Sequence, residues 1–304
     1  MNSGNLLQRG VAPGPYGKRG ESYMFKNLNV GALHHKATFE ENVTWAAEFG
    51  FGGVDLDMGY VREKGIAATK DLLAKHKLQM GSIGFGVAFR ENNSEKEWAD
   101  SIGALAADAK LGAELGCTRT ATWVMPCSDK LSFREHYALF VRRLKPAAEI
   151  LNSYGIAMGL EFVGPRTIRQ GKKYGFLYTM DGMRAACAHI GPNAGLLLDC
   201  WHWYTCQSTV TDLEQLEKGD VVYVHLNDAP KGVAVNDQVD NKRELPAATG
   251  VIDIAGFLGA LKKIGFDGPC TVEPFNQPIR DMKVKDAVKA TAESLTKAFK
   301  QAGV

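Results

Sequence analysis

A chain of 304 residues, 45% hydrophobic and without a low-complexity tract, can bury a sizeable core, and an α/β barrel of this length commonly folds as one domain. Lys and Arg total 36 against 34 Asp and Glu, a net charge of +2, which gives no electrostatic reason to seek nucleic acid or an anionic membrane and suits a neutral small ligand. The six cysteines, at 117, 127, 187, 200, 206 and 270, form no CxxC pair and are too sparse for a disulfide scaffold, so they read as buried free thiols of a reducing, cytoplasmic compartment.

In chain order, residues 1–27 carry scattered charges, several Gly and Pro and no apolar h-region, so they are expected to form a flexible or loosely docked arm and not a signal peptide. No stretch approaches 18 uninterrupted apolar residues, which argues against a spanning helix. From residue 28 to 304, short apolar β-rich runs alternate with longer amphipathic stretches. The eight runs are LNVGALHH (28–35), GGVDLDM (52–58), LQMGSIGF (78–85), TRTATWVM (118–125), AMGLEFVG (157–164), AGLLLDCW (194–201), VVYVHLND (221–228) and PCTVEPFN (269–276). Helix starts are predicted where Thr38 and Glu41, Ser132 and Glu135, and Thr211 and Glu214 have capping-box spacing. Helix stops are predicted at Gly50, Gly116, Gly155 and Gly265.

Eight strands with interleaved helices suit either an open doubly wound sheet or a closed barrel. The open sheet usually has a Gly-rich phosphate turn after its first strand, and here LHHKATF follows instead, so a single (β/α)8 barrel over 28–304 is expected. The segments 164–180 and 229–250 depart from regular spacing, and both follow strands at their C-terminal ends, the face where barrels keep active sites.

Glu161, Asp199, His225 and Glu273 each interrupt an apolar run near the C-terminal end of strands five to eight, in GLEFVG, LLLDCW, VYVHLND and TVEPFN. An ionised carboxylate in an apolar strand is costly unless a cation or hydrogen bonds compensate it, and barrel closure brings these strand ends together. Three carboxylates and an imidazole therefore predict one divalent metal ion. The oxygen-rich set suits Mn²⁺, Mg²⁺ or Co²⁺ at least as well as Zn²⁺. Such a site leaves positions for two vicinal substrate oxygens, polarising a carbonyl and acidifying the neighbouring C–H. Cys200, beside Asp199, is expected to point to the opposite face.

With these residues in place, the sequence resembles the xylose-isomerase-like barrel superfamily over about residues 28–300, in particular the sugar isomerases and epimerases that include ketose 3-epimerases, hydroxypyruvate isomerase and inosose dehydratase. The resemblance rests on the Glu of LEF, Asp199 and His202 in DCWH, His225 in VHLND, the R-x-x-P-x-x-x-G-x-I-D stretch from Arg243 to Asp253, and FDGPCTVEPF. It implies that Glu161 and Glu273 exchange a proton with one substrate carbon from opposite faces while also serving as ligands, and that His202 binds a substrate oxygen. It also sets Lys231 where the ketose epimerases have an Arg six residues after the metal histidine, a point charge in place of a planar fork. Arg243 is counted with the substrate-binding residues.

Among weaker candidates, one of His34 and His35 either contacts substrate or is a loop histidine. Trp123, Trp201 and Trp203 form either an apolar floor under a sugar ring or ordinary core. Asp228 is either a partner of the site or a solvent-facing loop residue, and Arg166, Arg169, Lys172 and Lys173 make a basic loop that receives an acidic substrate or is simply solvated. His76, His136 and His189 are expected on the outside, in surface or helix-end solvation.

The expected function is isomerisation or epimerisation of a keto-sugar or polyol by proton abstraction next to a carbonyl. The alternative is a lyase that expels a β-substituent, as in dehydration of an inosose or cleavage of a 3-oxo-glycoside. An abasic-site endonuclease would want further histidines after His225, and there are none; a non-catalytic binding barrel is opposed by the intact ligand set. The partner is then a small sugar-like molecule, and a homo-oligomer or an accessory subunit is compatible with this reading.

Overall fold

The computed structural model describes residues 24–304. Eight parallel strands form one sheet: β1 (Phe25–Leu28), β2 (Gly53–Val54), β3 in two pieces (Gln79–Met80 and Ile83–Gly84), β4 (Arg119–Trp123), β5 (Ala157–Glu161), β6 (Ala194–Asp199), β7 (Val221–Leu226) and β8 (Pro269–Val272). β1 pairs with both β8 and β2, and pairing then runs β8, β7, β6, β5, β4 on one side. On the other side β2 pairs with the first piece of β3, while the second piece pairs with β4. The two ends of the sheet are thus one strand interrupted only at Gly81 and Ser82, and the sheet closes into the expected (β/α)8 barrel. Gly81 is required at the interruption, because a Cβ there would run into Asp55 Oδ1 and the Asn27 side chain.

Strands two to eight fall where the apolar runs lie, but the first does not. It occupies 25–28, ahead of the expected 28–35, and residues 31–33 form a 3₁₀ turn ending in His34 with φ 61°. The inward residue that sets its register, Asn27 opposite Thr271, is polar, so an apolar-run criterion passes over it. Most of the expected arm, residues 1–23, lies outside the described residues, and residues 25–27 belong to β1.

Outward-facing Met158, Leu160, Leu196, Leu198 and Val224 are fully buried against the surrounding helices, the longest of which span Met58–His76, Glu95–Leu115, Phe133–Ser153 and Val284–Ala302. The boxes at Thr38/Glu41 and Ser132/Glu135 form as expected, and Ser94/Glu97 makes another. The Thr211/Glu214 expectation is corrected: the box is Thr209/Asp212, two residues earlier, opening a one-turn helix over Val210–Leu213. Gly50, Gly116, Gly155 and Gly265 all take positive φ at helix ends. All six cysteines are free, five of them buried. Among the described residues, no helix is long and apolar enough to cross a membrane.

Both irregular segments lie over the C-terminal face. In the first, Tyr174–Gly175 pairs antiparallel with Cys127–Ser128 after a short helix, Arg166–Arg169. Thr167 Oγ1 donates to Gln238 O at 2.7 Å, tying it to the second. Asp228 anchors that second loop from beneath, as its buried carboxylate accepts from the backbone N–H of Ala229, Thr249, Gly250 and Ile252. It is therefore a staple of the loop and not a solvent-facing residue.

Candidate metal centre

Parallel register decides which side chains meet. His225 lies opposite Asp199 on β6, and Glu161 ends β5; Glu273 follows β8 two residues past Thr271, which is opposite His225. Residues in register or two apart share a face, so all four point into the barrel. One ligand atom from each of Glu161, Asp199, His225 and Glu273 falls within 4.8 Å of every other. His225 Nδ1 is the hub, 3.2 Å from Glu161 Oε1, 3.5 Å from Glu273 Oε2 and 3.8 Å from Asp199 Oδ2.

Glu161 and Asp199 are buried, and the electrostatics shows what that costs. Burial pushes Glu161 up to about 8 against the pull of His225, and the negative charges of Glu273 and Asp199 add to the rise. Glu273 is raised as well, chiefly by burial. Burial would also raise Asp199, but Arg243, His202 and His225 hold its carboxyl below the ordinary value. Burial disfavours the His225 cation, yet Glu273, Glu161 and Asp199 outweigh it and lift the imidazole to about 9. Three carboxylates, two buried and one half-buried, competing for one imidazole proton are a cluster that gains from a cation, and their donor set suits a hard divalent ion. The residues present therefore fit a metal.

Arg243 reaches the same carboxylates. Its buried guanidinium donates to Asp199 Oδ2 at 2.8 Å, Glu273 Oε2 at 3.2 Å and Asp240 Oδ1 at 2.9 Å, over the rings of Trp201 and Phe275. Lys231, expected in the basic position near the metal, is instead exposed in the loop. It is Arg243, at the far end of the loop that follows His225, that reaches the carboxylates.

His202 is buried behind Arg243. Its Nδ1 faces the Gly164 N–H at 3.2 Å and its Nε2 faces Arg243 at 3.3 Å. Burial pushes its pKa down to about 4, and a neutral imidazole has one acceptor nitrogen, so it accepts from one of these two donors only. His35 Nε2 lies 2.9 Å from Ile279 O, and His34 packs on Phe275 and pairs with Arg280 at the rim. Trp201 and Trp203 are core, with Trp203 packed on Phe257. Trp123 alone of the three is exposed, and its register with Glu161 turns it into the barrel mouth. Cys200 lies away from the cluster, its thiol on Asn227 O. In the basic loop, Lys172 pairs with Asp129 and Arg169 stacks on Tyr178. His136 departs from expectation, being buried and stacked on Phe176.

Two features went unread in the sequence. Asn227 donates to both Asp199 oxygens, at 3.1 and 3.3 Å; its signal was its place two residues after His225, on the same face. One layer below the cluster, Asp55 accepts from Asn27 at 2.9 Å, Asn29 at 2.8 Å and the Tyr223 hydroxyl at 2.8 Å, and Tyr223 also meets Thr271. The Tyr223 ring stands perpendicular to His225 at 5.5 Å between centroids. This polar layer fixes the ring behind the hub imidazole.

Comparison with known proteins agrees with this geometry. Residues 43–298 match the xylose isomerase-like TIM barrel family. The chain is 28% identical over 164 residues to an inosose isomerase of Halalkalibacterium halodurans, a match covering 52% of this chain and about half, 55%, of that protein. It is 26% identical over 258 residues to an L-ribulose 3-epimerase of Methylomonas sp., covering 81% of this chain and 82% of the relative. A xylose isomerase domain protein from Alicyclobacillus acidocaldarius superposes with a TM-score of 0.82 at 27% identity, over 92% of this chain and all of that one. The IolI protein with a binding zinc atom superposes at 0.76 with 19% identity, over 92% of this chain and 99% of that one, a likeness of fold.

Proposed function

Because the chain belongs to the xylose isomerase-like TIM barrel family, we propose that it is a divalent-metal-dependent isomerase or epimerase of a keto-sugar or sugar-like polyol. The observation that carries the reading is the convergence of Glu161, Asp199, His225 and Glu273 within 4.8 Å, two of the four being glutamates. The names of the inosose isomerase and the L-ribulose 3-epimerase support a sugar substrate, and the zinc-bearing neighbour supports a divalent ion.

Glu161, Asp199, His225 and Glu273 would hold the ion, which when bound supplies Lewis-acid polarisation of a carbonyl. Glu161 takes a proton from the carbon next to that carbonyl, and Glu273 delivers one to the same carbon or its neighbour. Carboxyls lifted toward neutrality by burial are better matched to that exchange than exposed ones. Arg243, fixed by Asp199 and Asp240, places a permanent cation where negative charge develops on substrate oxygen. Asn227 holds Asp199 in place, and Trp123 offers a ring face to the sugar.

Incubation of the Mn²⁺-loaded protein with a panel of keto-sugars and 3-oxo-glycosides, followed by mass analysis, tests the reaction class. Products of unchanged mass are expected. Loss of water or of an aglycone would replace isomerisation with a lyase reaction that begins with the same proton abstraction.

A further inference from the structure

The Asp199 carboxylate is crowded with donors. Its Oδ1 accepts from the backbone N–H of Trp201 at 2.7 Å, capping the helix Cys200–Thr205, and from Asn227 Nδ2 at 3.1 Å. Its Oδ2 accepts from the same amide at 3.3 Å and from Arg243 Nη1 at 2.8 Å. A carboxylate offers about four lone-pair positions, and these contacts occupy them. Asp199 Oδ2 lies 3.8 Å from the hub nitrogen of His225, and Glu273 Oε2, which also accepts from Arg243 Nη1 at 3.2 Å, lies 3.5 Å from it. The guanidinium thus donates to the same two oxygens that a divalent ion in this cluster would take.

The rest of Arg243 is anchored on the side away from the cluster. Its Nε donates to Asp240 O and its Nη2 to Asp240 Oδ1, both at 2.9 Å, and the guanidinium carbon lies 4.6 Å from the Phe275 ring and 5.4 Å from the Trp201 ring. The side chain is only 1% exposed. Nη1 is therefore the part of the fork that can let go of the carboxylates, while the positive charge stays beside them. A cation fixed there, away from bulk water, repels a second one. Hydrogen bonds to ligating carboxylates also tune the metal that those carboxylates hold.

We propose that Arg243 sets the affinity of the cluster for its divalent ion, holding it down by competing through Nη1 for Asp199 Oδ2 and Glu273 Oε2. The inference rests on the function proposed above, in which those carboxylates are metal ligands. Arg243 then keeps the ion exchangeable, and the Nη1 that the ion releases is free to donate to a substrate oxygen while Nε and Nη2 stay on Asp240. Were Arg243 only a prop that keeps the carboxylates in position for the ion, its loss would weaken metal binding. The two roles predict opposite signs.

Mn²⁺ binding to the full chain at about pH 8, where protons compete least for the carboxylates, decides between them. It is read by competition with a chelating dye, so that each variant is purified and kept folded with the metal. Arg243→Gln is expected to bind Mn²⁺ at least about tenfold more tightly than the wild type, a modest share of the repulsion between adjacent like charges. Arg243→Met, an apolar side chain of similar reach, should behave as the Gln variant does. Arg243→Lys keeps the charge and loses the fork, and should stay within about threefold of the wild type. Mn²⁺ binding by the Gln and Met variants that equals the wild type or is weaker, or a Lys variant as tight as they are, would overturn the proposal and leave the cluster a metal centre. Wild-type protein that binds no Mn²⁺ would remove the metal reading, and the proposal with it.

Discussion

The hydroxyl of Tyr223 joins Asp55, Asn27 and Thr271 in the layer beneath His225, and nothing in VVYVHLND advertises it. Deleting that one oxygen leaves buried partners unsatisfied, which typically costs about 1–3 kcal/mol, so Tyr223→Phe should lower the unfolding free energy by that amount, seen as a lower urea midpoint with an unchanged slope. An unaltered midpoint would show that the layer is not coupled to folding. The contrast with the four cluster residues explains what was legible. Glu161, Asp199, His225 and Glu273 stood out because each breaks an apolar run at the end of a strand. Asn27 lies ahead of the first apolar run, and Asp55 shares the run GGVDLDM with Asp57, so neither stood out. Arg243 was visible in its R-x-x-P stretch, but its place beside Asp199 depended on how the loop after β7 folds back, which spacing from His225 does not encode.

Between elements, the first residue of the helix Glu95–Leu115 ties it to the helix Phe133–Ser153. Glu95 accepts two bonds from Arg142, at 2.7 and 2.9 Å, and one from Arg143 at 2.7 Å, while Arg143 also donates to Arg90 O and Asn93 O. The Arg142 and then Arg143 hydrogen bonds hold the Glu95 carboxyl at about 2, below its ordinary 4.5. A carboxyl depressed in the folded state adds stability that is present above about 4.5 and is lost as the pH falls toward 2. Glu95→Gln should therefore flatten the acid side of a Tm-against-pH curve in that window, modestly because the pair is solvent-screened. A curve with the wild-type slope would assign the acid sensitivity elsewhere. Helix starts were readable at Thr38 and Ser132, where Glu follows three residues on, while Ser94/Glu97 has the same spacing and was passed over. Thr211/Glu214 misled because two candidate threonines lie two apart, and Thr209/Asp212 is the pair that the turn selects.

For the whole molecule, barrel closure is what converts four separate strand ends into one site, and it was predicted from the alternation of runs and helices together with the missing Gly-rich phosphate turn after the first strand. The inward turn of His136 was beyond reach of the sequence, since it lies on a helix that looked external and its burial depends on Phe176 from a separate segment. An ion bound only by the folded chain stabilises it by about 2.7 kcal/mol at a hundredfold excess over Kd. Chelation should accordingly lower Tm, and Mn²⁺ or Co²⁺ should restore it in the wild type but not in Asp199→Asn. A Tm indifferent to chelator and to added metal would remove the ion from the account. The most direct test of proton transfer at carbon is solvent deuterium entering a keto-sugar turned over by the metal-loaded protein. Incorporation at the carbon next to the carbonyl is predicted, falling by about 10²–10⁴-fold in Glu161→Gln and Glu273→Gln, the usual contribution of an acid–base group. Near-wild-type incorporation in both variants, with metal still bound, would contradict the assignment of these glutamates as the proton-transfer pair.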